Sequence, residues 1–325
     1  MRSDMQALSY FKWINFELSR APAGRRPLII NMDETSLAYH IAGLKGTVVK
    51  GARGRDQASL SELRGHVSYL AAITDDAEIQ PLLPQVLIGN AHKFTLQTLR
   101  AVAPKLPQQV HLWREKTAWN TYVCMRRYIA LLSKALGSIL QARFVILLLD
   151  CAKVHFHPSI SRLAAQKGLR LVYVPAKMTS FLQPCDTHLF SIFKHTLQES
   201  WRRRKSEVLG GVVSTQDWIS VICNTVEKVV VGQSWQRAFL QDGVLLQQQF
   251  LSEEACASLG WKGPPLAGNG PPTADDVVCV MPRRARTGFL MSSLKDSGPS
   301  APKKRRRLPA TFVRTLNGRP IETLD

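Results

Sequence analysis

Three aspartates, Asp33, Asp150 and Asp186, carry the chemistry that this sequence advertises. Asp33 follows the apolar run Leu28-Ile29-Ile30-Asn31-Met32, Asp150 closes Phe144-Val145-Ile146-Leu147-Leu148-Leu149, and Asp186 ends Gln183-Pro184-Cys185-Asp186. A lone Asp at a strand end is more often a turn or cap residue than a catalytic one. Three that converge would repel one another and be driven toward protonation. A divalent cation relieves that repulsion, and Mg²⁺ favours a few carboxylates, waters and phosphate oxygens. Two such ions activate an attacking oxygen on one side of a phosphodiester and stabilise the leaving oxygen on the other.

The elements that would position these residues can be read from the pattern. Residues 1–26 read as a short helical lead. Strands are expected at Leu28–Met32, His66–Thr74 and Ile79–Ile88, the last two flanking the turn Asp75-Asp76. Residues 117–137 read as a long helix by their three- and four-residue apolar spacing. Phe144–Leu149 is an unbroken apolar run, as befits a central strand covered on both faces. A helix from Pro158 to Lys167, stopped by Gly168, precedes a strand at Leu169–Val174. Another helix is expected from about Asp186, and more helix over 215–258. The order predicts an α/β fold: a mixed five-stranded sheet flanked by helices, with Asp33 and Asp150 side by side if their strands are neighbours. The expected organisation is a lead over 1–26, one domain over 27–260, and over 261–325 a Pro/Gly linker followed by a disordered basic tail.

Composition narrows the partner. Lys and Arg number 43 against 24 Asp and Glu, a net charge of +19, which favours a polyanion through release of phosphate counterions. No apolar run approaches the ~18–20 residues of a membrane helix, and Arg2, Asp4, Lys12 and Glu17 interrupt any signal-peptide core, so a soluble, intracellular protein is expected. The six cysteines form no CxxC pair, which argues against a zinc ribbon.

The motifs, taken together, resemble the DDE/D endonuclease domain of pogo-like transposases in the mariner superfamily. Asn31-Met32-Asp33-Glu34-Thr35 resembles the first-carboxylate motif of that family. Leu147 through His155 resembles the second, and Val174-Pro175 through Asp186 the third. Thirty-five residues separate Asp150 from Asp186, within the range such transposases use. Phe190 and Lys194 match a Phe and a Lys of the following helix, while Cys151 and Cys185 replace the usual Asn and Leu. The resemblance implies an RNase H-like fold and a metal-dependent endonuclease and strand transferase of cut-and-paste transposition. It implies Asp33, Asp150 and Asp186 as ligands of two Mg²⁺ or Mn²⁺ ions, transposon ends and target DNA as partners, and a homodimer. Such transposases carry helix-turn-helix modules ahead of the catalytic domain, and about 27 residues precede the first strand here. The alternative is a catalytically silent, transposase-derived nuclear DNA-binding protein; an RNase H-like processing nuclease is a third reading.

Further residues are candidates for supporting roles. Glu34 would point to the face opposite Asp33 and, with His155 and Gln183, is expected to orient the carboxylate segments rather than ligate. His155 also reads as an ordinary helix-start histidine. Lys45, Lys50, Arg53 and Arg55 in a Gly-rich stretch, and Lys194, Arg202, Arg203 and Arg204, are candidates for phosphate contact or for a solvated surface. Lys303-Lys304-Arg305-Arg306-Arg307 after Pro302 resembles a nuclear import signal, or else a nonspecific DNA-binding tail, and either predicts the nucleus.

Overall fold

The computed structural model describes residues 3–38, 66–208, 213–244, 253–258, 312–314 and 320–322. Its centre is a mixed sheet of six strands: β1 (Arg26–Ala38), β2 (His66–Thr74), β3 (Gln85–Asn90), β4 (Val110–Glu115), β5 (Arg143–Leu149) and β6 (Leu169–Tyr173). Their order is β4-β3-β2-β1-β5-β6. β2 runs antiparallel to both β1 and β3, while β1 pairs in parallel with β5, and β5 with β6. This is a mixed sheet flanked by helices, as expected, with one strand more than the five expected. The addition is β4, which pairs in parallel with β3 at the edge of the sheet.

The central strands are apolar because both faces are covered. Leu28, Ile29 and Ile30 of β1 and Val145 through Leu149 of β5 are buried in one continuous core. The N-terminal helix, Ser3–Ser19, belongs to that core: Tyr10, Phe11, Ile14 and Leu18 recur at helical spacing, and the helix packs on β6. On β2, helix Phe190–Glu207 stacks Phe193 against Tyr69, with ring centroids 4.9 Å apart.

Several expected boundaries move, each for a local reason. The strand expected from Ile79 begins at Gln85, because Pro81 and Pro84 cannot donate to a ladder. The backbone of β2 is satisfied there by side chains instead. Gln80 Oε1 accepts from Thr74 N (2.9 Å), Gln85 Oε1 accepts from Ala72 N (3.1 Å), and Gln85 Nε2 donates to Ala72 O (2.8 Å). The helix expected from 117 starts at Tyr122, where Thr121 caps it by accepting from Cys124 N. A helix not expected, Leu96–Val102, follows the Thr95 cap. The helical region expected over 215–258 is divided into Thr215–Thr225, a π-type turn at Val226–Val231, Gln236–Gln241 and Glu253–Ser258. In the tail, the described residues Phe312–Arg314 and Pro320–Glu322 pair as antiparallel strands; the rest of that expectation, with Lys303 through Arg307, lies outside the described residues.

Candidate metal-dependent nuclease site

Strand direction delivers the three carboxylates to one edge of the sheet. β1 and β5 run parallel in a register that pairs Asn31 with Leu148; continued two residues, it sets Asp33 opposite Asp150. The chain leaves β6 at the same edge and reaches Asp186 through a short turn of helix, Thr179–Leu182, and a π-type turn, Cys185–Leu189.

Asn31 ties the three segments together. Fully buried, its Nδ2 donates to Leu148 O on β5 (3.2 Å) and its Oδ1 accepts from Cys185 N (2.8 Å). One side chain thus joins the strand of Asp33, the strand that ends at Asp150, and the turn that holds Asp186. The Cys185 thiol points to Asn31 O (3.7 Å), and Cys151 Sγ to Val174 O (3.1 Å). Burial pushes both thiols up, Cys151 to about 12, so neither is a thiolate that would compete with the carboxylates.

The electrostatics show the carboxylates acting on one another. Burial raises the Asp33 carboxyl well above the usual range, and the charges of Asp150 and Asp186 raise it further. Burial also acts to raise Asp150, but a hydrogen bond and charge from His155, with the Ala152 N–H, outweigh it and hold that carboxylate low. His155 Nδ1 stands 2.6 Å from Asp150 Oδ1 and 3.2 Å from Asp150 O, fixing the ring, while Tyr173 Oη donates to His155 O. Asp186 is exposed. Among the described residues, no three His, Cys, Asp or Glu side chains already form a set that could hold an ion. The donor chemistry nonetheless fits a hard divalent cation: three carboxylates stand on neighbouring segments with no thiolate among them, and the like-charge penalty on Asp33 is what such an ion removes.

The other candidates fall into groups. Glu34 lies on the opposite face of β1 from Asp33, beside Leu70 of β2. The Gln183 amide is buried and has no hydrogen-bond partner among the described residues. Lys45, Lys50, Arg53 and Arg55 lie outside the described residues. Lys194 is exposed over the Phe190 ring, 5.6 Å from its centroid. Arg202 and Arg203 are exposed and line a groove of about 830 Å³ with Lys105 and Lys228, a concavity that includes none of the three carboxylates. Arg204 is committed elsewhere, donating to Asp217 Oδ1 (2.6 Å) and Glu207 Oε2 (3.2 Å).

A residue that the sequence reading did not single out is Asp242, after helix Gln236–Gln241. It is buried and accepts from Thr187 Oγ1 (2.7 Å), next to Asp186. His188 Nδ1 stands 3.9 Å from its other oxygen. Burial raises the Asp242 carboxyl to about 7, against the pull of the Thr187 hydrogen bond. A raised acid favours folding below its unfolded pKa of ~3.9 and loses that contribution as pH climbs through the folded value. Asp242→Asn is therefore expected to be more stable than the parent at pH 8, by on the order of 3 kcal/mol. The gap should close toward pH 4, as read by urea unfolding at each pH.

Residues 67–224 match the DDE superfamily endonuclease family. The matched segment contains Asp150 and Asp186, while Asp33 lies ahead of it on β1. Among solved structures, the chain is similar to a Mos1 transposase paired-end complex with left transposon end, at 15% identity and a TM-score of 0.39, over 75% of this chain and 63% of that one. It is similar also to a Mos1 mariner paired end complex with Mn, at 16% identity and 0.38, over 73% and 62%. A Mos1 strand transfer complex gives 16% identity and 0.38, over 75% and 63%. The chain thus spans less than two thirds of the length of these structures. No curated protein matches it. The subgroup within the superfamily, pogo-like or other, is not distinguished by these matches, and no described helix is long and apolar enough to cross a membrane.

Proposed function

We propose that this chain is a metal-dependent DNA endonuclease and strand transferase of the cut-and-paste kind, with Asp33, Asp150 and Asp186 as its metal-holding carboxylates. The observation that carries the reading is the delivery of three aspartates to one end of the sheet by three separate segments, where Asp150 and Asp186 both act against ionisation of the buried Asp33. Asp33 and Asp150 would hold the ions between them and Asp186 would complete the set. Two Mg²⁺ or Mn²⁺ ions would supply activation of the attacking water or 3′-hydroxyl and stabilisation of the leaving oxygen. The protein's part is positioning. Asn31 locks the three segments, and His155 orients Asp150 while leaving its second oxygen uncommitted to the ring.

The substrate is duplex DNA, transposon ends and target, which a chain of net charge +19 attracts over its phosphates. Lys194, Arg202 and Arg203 are exposed for such contacts, and the Lys45–Arg55 stretch connects Ala38 to His66, residues that pair at the carboxylate edge. Pairing of two DNA ends calls for a homodimer, and Lys303 through Arg307 supply a nuclear import signal. The test is nicking of supercoiled plasmid by the purified chain with Mg²⁺ or Mn²⁺. Cleavage is expected with either ion and none in EDTA; DNA binding without cleavage under all three conditions would leave a transposase-derived binding protein and sink the reading.

A further inference from the structure

Two exposed aromatic rings stand toward the end of the sheet that carries the carboxylates. Trp119 is 57% exposed and Tyr122 47% exposed, three residues apart in the connection from β4 to helix Tyr122–Leu136. Each is held by an imidazole. Trp119 lies against His66, with centroids 4.8 Å apart and planes at 57°, and Tyr122 stacks on His157, at 4.5 Å and 13°. Strand directions put all four residues toward the C-terminal ends of β1, β4 and β5: His66 pairs with Ala38, five residues beyond Asp33 on β1, and His157 lies seven residues beyond Asp150. His66 opens the antiparallel β2, Trp119 and Tyr122 follow the end of β4, and His157 follows the turn after β5. His157 is two residues beyond His155, whose ring contacts Asp150.

We propose that Trp119 and Tyr122 form a stacking surface for unpaired nucleobases of a DNA end held at the carboxylates. The proposal rests on the nuclease reading above. Apolar rings left half in water, yet fixed by a second ring, have already lost much of their freedom and gain contact from a flat partner. A nucleobase is such a partner, and the positive charge of the chain brings in the phosphates that carry it. A base taken from its stack at a DNA end recovers part of the cost of unpairing on an aromatic face.

The test uses the full chain in an Asp186→Asn background, which removes cleavage and leaves the aromatic rings untouched. The probe is a duplex with a short 3′ single-stranded extension that carries 2-aminopurine, beside the same duplex with blunt ends. Binding is expected to quench 2-aminopurine fluorescence. Trp119→Ala and Tyr122→Ala should each lose quenching and bind the tailed duplex roughly tenfold more weakly, with blunt-duplex affinity unchanged. Trp119→Phe and Tyr122→Phe should retain both signals. Unchanged quenching in the alanine variants, or equal weakening for tailed and blunt DNA, would overturn the proposal. So would a change in oligomeric state with quenching retained, which would assign the rings to a contact between copies of the chain. If the parent binds neither DNA, it is the nuclease reading that fails.

Discussion

Asp33→Asn should yield a metal-free protein more stable than the parent, although it removes a residue on which cleavage depends. Asp33 is buried, and Asp150 and Asp186 both act against its ionisation. Asn keeps the size of the side chain and its ability to accept the Glu34 N–H while removing one of three repelling charges. Relief of this kind is worth about 1–2 kcal/mol, or a few degrees in Tm for a chain of this size. In EDTA the variant should therefore melt above the parent. Addition of Mn²⁺ should reverse the order, because the parent gains binding energy and the variant has lost a ligand. A variant that melts below the parent in EDTA, or that gains as much from Mn²⁺, would show that Asp33 is a structural residue and not part of a metal centre.

Asn31→Leu carries the second large effect. The native amide satisfies Leu148 O and Cys185 N, both inside the protein. Leucine is close in volume but leaves Cys185 N without its acceptor, at about 1–3 kcal/mol for a buried group left unsatisfied, and removes the bond to Leu148 O, worth about 1 kcal/mol. The total, about 2–4 kcal/mol, should appear in urea unfolding at neutral pH. Activity should fall by more than the folded fraction does. The turn from Cys185 to Leu189 loses its tie to β1, and a misplacement of about 1 Å at a reacting centre can cost ~100-fold. Cleavage measured well below the melting temperature separates the two effects. Full cleavage in a folded Asn31→Leu protein would show that Asp186 is positioned by other contacts.

The parts of the fold legible in the sequence were those written in local pattern. Phe144–Leu149 could only be a strand covered on both faces, and Gly168, at φ 75°, ends the preceding helix where its lack of a Cβ matters. Asp150 was legible because it closes the apolar run of β5, and Asp33 because it follows that of β1, although β1 does not end at Met32 as expected but continues past Asp33 to Ala38, paired with β2 throughout. β4 was missed because an edge strand needs only one partner and one buried face. Val110 and Trp113 are its buried residues, three apart rather than two, and the charged Arg114 and Glu115 after them hide the period. The Gln80 and Gln85 side-chain bonds that replace part of a ladder on β2 have no sequence signature, so β3 was begun too early.

The site divides in the same way. Asp33, Asp150 and Asp186 were named from position, and Asn31 stood inside the first motif without a role, because its two bonds span 117 and 154 residues of chain. Asp242 was invisible for the same reason: its bond to Thr187 crosses 55 residues. Gly243 beside it, at φ 69°, could have drawn notice as a turn. Long-range polar ties leave no periodicity, and only the packing of the sheet edge brings their ends together.

The measurement that tests the central claim most directly is nicking of supercoiled plasmid by four purified proteins: the parent, Asp33→Asn, Asp150→Asn and Asp186→Asn. Each would be assayed with Mg²⁺, with Mn²⁺ and with EDTA. The account predicts metal-dependent nicking by the parent and a loss of at least ~1000-fold in every variant, with DNA binding retained throughout. Nicking that persists in Asp33→Asn or Asp150→Asn, or a parent that binds DNA and does not cut it with either ion, would contradict it.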